Sequence, residues 1–113
     1  MYHVSAHRAP MTLQEFKEKY DAFRSDAKTA KDVFKATLVD LSGVDFSWLK
    51  LVDVVFDSCD LTFANFSDTS LHQIKFDSCA LGDARFIKAL VDHCDFQAEE
   101  LNGACFDGAE IVF

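Results

Sequence analysis

From Leu41 to Ile111 every fifth residue is a large apolar one: Leu41, Phe46, Leu51, Phe56, Leu61, Phe66, Leu71, Phe76, Leu81, Phe86, Val91, Phe96, Leu101, Phe106 and Ile111. Two residues before each stands a small or aliphatic side chain, from Val39 and Val44 through to Ala104 and Ala109, and only Glu99 breaks that second row. A period of five fits neither the 3.6 residues of a helical turn nor the alternation of a strand. It fits a chain that turns a corner every five residues and regains its direction after four sides. Such twenty-residue square coils stack as parallel strands ~4.8 Å apart, and each inward side chain lies in register with the one a full coil later.

Sorted by coil, the inward residues form four columns. Leu41, Leu61, Leu81 and Leu101 make one, and Phe46, Phe66, Phe86 and Phe106 the next. Leu51, Leu71, Val91 and Ile111 make the third, and Phe56, Phe76 and Phe96 the fourth. The two Phe columns oppose each other across the square, filling a narrow interior with ring stacks on two sides and aliphatic side chains on the others.

The repeating unit is a small residue, then Asp or Asn, then Leu or Phe and two variable positions. It is spelled out in Val39-Asp40-Leu41, Val44-Asp45-Phe46, Cys59-Asp60-Leu61, Ala64-Asn65-Phe66 and Cys94-Asp95-Phe96. Over residues 37–113 the chain resembles the pentapeptide repeat family. The resemblance implies an all-β solenoid, a right-handed quadrilateral β-helix of nearly four coils. Val55, Leu90 and Cys105 depart from the pattern by replacing its polar second residue. At Glu99 a local bulge that lets the side chain escape to solvent is expected.

Residues 1–36 read as an N-terminal tail and α-helical cap, and 37–113 as the repeat β-helix. Thr12 followed by Glu15 forms a capping box, with Met11 and Phe16 as its hydrophobic staple. Leu13, Phe16, Tyr20, Phe23 and Ala27 then share one helical face, with Ala30 and Phe34 continuing it. This spacing predicts one or two helices from 13 to about 35. A solenoid needs its terminal coil covered, so the helix is expected to cap the first coil, with Trp48, Val52 and Val55 receiving it. Arg24, Lys28, Lys31 and Lys35 lie on a second helical stripe, read as a solvated face that pairs with acids of the first coil.

The 113 residues suffice for one domain, and an apolar half with only four Gly and one Pro excludes disorder and collagen-like structure. Net charge is -8, unevenly placed: residues 1–36 hold five acids and seven bases, residues 37–113 fourteen acids and four bases. That acidity excludes ordinary nucleic-acid binding through phosphate neutralisation. No apolar run approaches the ~18 residues of a membrane span, and the first ten residues lack a signal-peptide core. A cytoplasmic location is expected. Phosphate loops, dinucleotide fingerprints and hydrolase motifs are absent, so no catalytic residue, cofactor or metal site is assigned.

Cys59, Cys79 and Cys94 occupy small inward positions and Cys105 an outward one, so free thiols acting as small hydrophobes are expected. His72 and Asp92, one coil apart, are expected side by side as a weak surface pair. His93 and Cys94 face opposite ways, which makes zinc binding improbable.

Two kinds of surface remain. Asp40 with Asp60 and Asp57 with Asp77 place like charges in outward rows, either as corner-turn residues or as a wall for a basic partner. Ile87 and Leu90, near a corner of a later coil with no helix over them, are candidates for contact with a protein partner. The floor of the last coil exposes Phe106, Ile111 and Phe113, which leads to the expectation of an end-to-end homodimer. The leading functional expectation is a non-enzymatic, rigid protein-protein interaction module. The alternative comes from the resemblance: some pentapeptide repeat proteins are acidic DNA mimics that bind DNA gyrase or topoisomerase IV and confer antibiotic or toxin resistance.

Overall fold

The computed structural model describes residues 8–98 and 100–113. The chain runs through Ala9–Pro10 (β1), Leu13–Ser25 (α1), Phe34–Thr37 (β2), Val39–Asp40 (β3), Lys50–Asp57 (β4), Ser70–Asp77 (β5), Leu90–Asp92 (β6) and Glu110–Val112 (β7). Strands β2, β4, β5, β6 and β7 lie side by side in one parallel sheet, so that Leu51 pairs with Leu71, Leu71 with Val91 and Val91 with Ile111. β4 and β5 bend at Asp53 and Gln73 and so contribute to two walls. Single parallel bridges hold the other two walls. One runs from Asp40 to Asp60, Ala80 and Glu100, the other from Asp45 to Asn65, Arg85 and Cys105. The fold is a β-solenoid of about four coils with a single N-terminal helix.

From Leu38 to His93, and again at Gly103 and Gly108, the corners are turned by residues in the left-handed region, with φ of +69° at Gly43, +69° at Trp48, +53° at Asp53 and +56° at Ser58 in the first coil. Corners on two sides of the coil close a hydrogen-bonded turn, as where Val44 N–H donates to the Leu41 carbonyl (3.2 Å) and Leu49 N–H to that of Phe46 (3.3 Å), while in the second coil the Thr69 hydroxyl takes the place of its N–H at the Phe66 carbonyl. The third residue of these turns takes the positive φ that a type II turn requires. Left-handed backbone suits Gly and costs a bulky side chain about 1 kcal/mol.

Inside, the columns stack as the spacing requires. Phe46 and Phe66 lie 4.6 Å apart with rings 1° from parallel, Phe66 and Phe86 5.1 Å, and Phe86 and Phe106 4.8 Å. The opposing column repeats this with Phe56, Phe76 and Phe96, and the two columns meet edge to face, Phe66 against Phe76 at 5.7 Å and 81°. That alternation satisfies the ring quadrupoles on both contacts. The one buried polar side chain among the described residues, Thr69, donates its hydroxyl to the Phe66 carbonyl at 2.6 Å.

The cap completes a column. β2 places Ala36 against Phe56, which leaves that column without a ring in its uppermost layer. Phe16 of α1 fills the place, fully buried, stacked on Phe56 at 5.6 Å and edge-on to Phe46 at 5.4 Å. The capping box forms as expected: Glu15 N–H donates to Thr12 Oγ1 (3.1 Å) and Thr12 N–H to Glu15 Oε1 (3.0 Å).

Three expectations about this region are corrected. The helix ends at Ser25 rather than near 35. The Asp26 carboxylate accepts from Lys28 N–H and the Thr29 hydroxyl donates to the Phe23 carbonyl (2.6 Å), which draws the chain off the helix axis. Phe34 is in a strand, since pairing with Val54 satisfies an edge of β4 that would otherwise be open. Trp48 does not receive the helix: α1 lies across the mouth of the coil, and Trp48 stands 77% exposed. Val52 does meet the cap, through its N–H and the Tyr20 hydroxyl at 2.9 Å. The bulge expected at Glu99 lies outside the described residues.

Candidate functional site

Because side chains of the interior are spoken for, any function belongs to the walls, the corners or the ends. Asp40, Asp60, Asp57 and Asp77 gather about one edge of the tower, on either side of the corner residues Ser58 and Ser78. Asp40 pairs with Asp60 across one wall and Asp57 with Asp77 across the next. Each has a local partner. Asp40 Oδ1 accepts from the N–H and hydroxyl of Ser42 (2.9 and 2.7 Å), and Asp60 Oδ1 from those of Thr62 (3.0 and 2.7 Å). Asp57 and Asp77 accept from the hydroxyls of Ser58 and Ser78. The side-chain and backbone bonds from Ser42 hold the Asp40 carboxyl below its ordinary value, and Arg8 adds to the effect. Arg8 reaches this edge by donating to the Ser58 carbonyl at 2.8 Å. Asp40 and Asp60 therefore shape the turns that follow them.

Ile87 and Leu90 lie three residues apart around a corner, as expected. They stand on adjacent walls with the corner residue Lys88 between them, Ile87 half-buried and Leu90 exposed. At the C-terminal end, Phe106 is half-buried beneath Phe86, whereas Ile111 is exposed and Phe113 is 97% exposed. A cleft of about 480 Å³ opens there between Cys94 and Phe96 on one side and Ile111 and Phe113 on the other.

The basic stripe is dispersed. Lys28 and Lys31 lie beyond the helix and Lys35 in β2, all exposed. Arg24 is no solvated charge. Its guanidinium donates to the carbonyls of Ala30 (3.2 Å), Asp32 (2.6 Å), Val52 and Asp53 (2.8 Å), and it lies over the rings of Tyr20 and Phe23. It thus ties the helix, the turn after it and β4 together, and makes no ion pair with acids of the first coil. Only His72 and His93 make ion pairs among the described residues, both with Asp92. His72 Nδ1 lies 2.7 Å from Asp92, as its position one coil earlier required, and His93 is an addition that the adjacent Asp-His sequence could have signalled. The His93 and His72 bonds hold the Asp92 carboxyl below its ordinary value.

All four cysteines are free thiols. The Cys59 thiol beside it and burial both push the Cys79 thiol well up, and burial raises that of Cys94, which suits packing rather than reaction. Among the described residues no group of three or more His, Cys, Asp or Glu side chains is arranged to hold a metal ion. No helix among them is long and apolar enough to cross a membrane.

Parallel coils of twenty residues, left-handed corners five residues apart from Leu38 to His93 and stacked Leu and Phe columns agree with a family match: the pentapeptide repeat region is matched over residues 37–106. The chain belongs to the pentapeptide repeat family. No curated protein matches it. The pentapeptide repeat β-helix is a repeat scaffold, so what distinguishes this member is the side chains it carries outside. Two of these escaped the sequence reading. Trp48, displaced from its expected role under the helix, and Phe63, 66% exposed, occupy neighbouring corners. The column that holds Phe63 otherwise reads Gly43, Asp83 and Gly103, and comparison down that column would have flagged it.

Proposed function

We propose that this pentapeptide repeat protein is a non-catalytic, rigid protein-protein interaction module that pairs with a second copy of itself through its C-terminal coil. The supporting observation is the exposure of that coil. Leu101 and Ile111 present their side chains to solvent, whereas their column mates Leu61, Leu81, Leu71 and Val91 are buried, and Val112 and Phe113 beside them are exposed too. An apolar end of this kind is covered most simply by its own copy about a two-fold axis. Sedimentation velocity tests it. Wild-type protein is expected at twice the mass of the chain and Phe113→Asp at the mass of one chain, and a monomeric wild type would overturn the self-pairing.

The second reading is an acidic DNA mimic directed at gyrase or topoisomerase IV. The excess of acids over residues 37–113 on a rigid rod favours it, while the turn-forming role of Asp40 and Asp60 gives those carboxylates a purpose of their own. A supercoiling assay decides. Inhibition or protection of gyrase that weakens with added salt supports mimicry, and no effect at micromolar protein removes it.

A further inference from the structure

In the upper two coils the wall made by residues 43–48 and 63–68 bears two acids, Asp45 and Asp68, and no base, and two aromatic side chains at its corners face water. Trp48 and Phe63 take adjacent hydrogen-bonded corners, one coil apart, with φ of +69° and +59°. Neither gains burial there, and Gly43, directly above Phe63, leaves open space beside it. Every repeat-frame Phe of the upper coils points inward instead.

Between the two corners the wall carries Asp45 and Asn65 as a bridged pair, with Ser47 and Ser67 beside them. Asp45 Oδ1 accepts from Ser47 N–H (2.9 Å) and from Asn65 Nδ2 (3.3 Å), which fixes the carboxylate in place between the rings. Taking ~10 Å for one side of the square and ~4.8 Å for one coil, the two aromatic corners are ~11 Å apart, the length of three to four residues of extended chain.

We propose that this wall docks an extended, arginine-bearing polypeptide segment, with cationic side chains three or four residues apart stacked on Trp48 and Phe63 and a guanidinium bridging to Asp45. The choice of occupant follows from charge complementarity: with Asp45 Oδ1 already accepting from Ser47 and Asn65, its other oxygen is left to bond a guanidinium, while a second cationic side chain along the segment finds a π face on one of the flanking rings. Arg85, one coil below Asn65 on the same wall, helps to hold the Asp45 carboxyl below its ordinary value through its charge but makes no ion pair with it, which leaves the carboxylate open to a second cation. This assignment rests on the interaction-module reading, since it names a partner class for it, but not on self-pairing.

Trp48 is the only tryptophan of the chain, so its emission reports the site directly. Intact protein is titrated with a short peptide carrying two arginines three residues apart, and with the same peptide carrying citrulline in their place. The arginine peptide is expected to change Trp48 emission saturably, with amide shifts confined to residues 45–48 and 63–67 and an affinity that falls with salt. Phe63→Ala and Asp45→Asn each weaken binding about two- to fivefold, with unchanged circular dichroism and unchanged sedimentation mass. The citrulline peptide does not bind. Unaltered emission at millimolar arginine peptide, equal binding of the citrulline peptide, or shifts mapping to the Asp40 and Asp57 edge would each overturn the proposal. Phe113→Asp is expected to leave the titration intact, so loss of self-pairing and loss of this site are read separately.

Discussion

The two ends of the tower are built from the same columns yet are finished in different ways. At the upper end Phe16 enters from the helix, stacks on Phe56 and closes the interior, and Arg24 ties that helix to backbone carbonyls of Ala30, Asp32, Val52 and Asp53. At the lower end Phe106 stacks on Phe86 but is only half-buried, and Ile111 and Phe113 face outward. The difference teaches that a repeat residue has no burial of its own. Phe66 and Phe106 occupy the same position of the same unit, and what separates them is whether another layer lies on each side. In a solenoid, packing energy is a property of neighbouring layers.

The sharpest way to break the comparison is to remove one ring from the middle of a column and one from its lower end. Phe66→Ala is expected to destabilise the protein by about 3–5 kcal/mol, as for other fully buried Phe truncations, and Phe106→Ala by well under half of that. Urea unfolding monitored by circular dichroism measures both, and equal losses would show that the lower coil is as well packed as the middle. Next in size is the seal itself. Phe16→Ala removes the ring that completes the Phe56 column and is expected to cost about 3 kcal/mol. It should also raise binding of a hydrophobic dye to the level that Phe113 and its neighbours elicit from the lower end. If dye binding stays unchanged, the helix is not the seal.

The smallest effect concerns acid. Glu15, Asp40 and Asp45 near the upper end and Asp92 lower down are all held below their ordinary values by hydrogen bonds to the charged carboxylate. A group whose folded value is depressed contributes stability that is present above its unfolded value, 4.5 for Glu15 and 3.8 for the Asp residues, and is lost as pH falls through the folded value. Thermal midpoints are therefore expected to decline below about pH 4.5, with hydrogen exchange accelerating first in the helix and the first coil, where three of the four lie. A midpoint that rises on acidification would mean that relief of carboxylate repulsion outweighs these bonds.

Most of the interior was legible because a period of five has one geometrical solution. Once Phe46 and Phe66 are a full coil apart, their stacking follows, and so does the pairing of His72 with Asp92. The capping box was legible because Thr12 and Glu15 act over a single turn. The misreadings all concern contacts between segments. Helical spacing carried Phe34 into a helix, because apolar periodicity does not know that an open edge of β4 lies nearby. The same extrapolation put Arg24 on a solvated stripe, although four carbonyls converge on its guanidinium. Trp48 was placed under the helix as an apolar residue of the first coil, and Phe63 was passed over because it lies outside the repeating frame.

The amino-acid sequence by itself determined the coil: its twenty-residue register, its four columns, and the alternation of rings and small residues within. These depend on repetition, and a repeated local rule leaves the chain no second arrangement. Only the tertiary structure decided where the helix rests, which ring completes the uppermost layer, and that Trp48 and Phe63 stand in water on either side of Asp45. Those outcomes arise from surfaces that meet once, and a contact made once leaves no period to read.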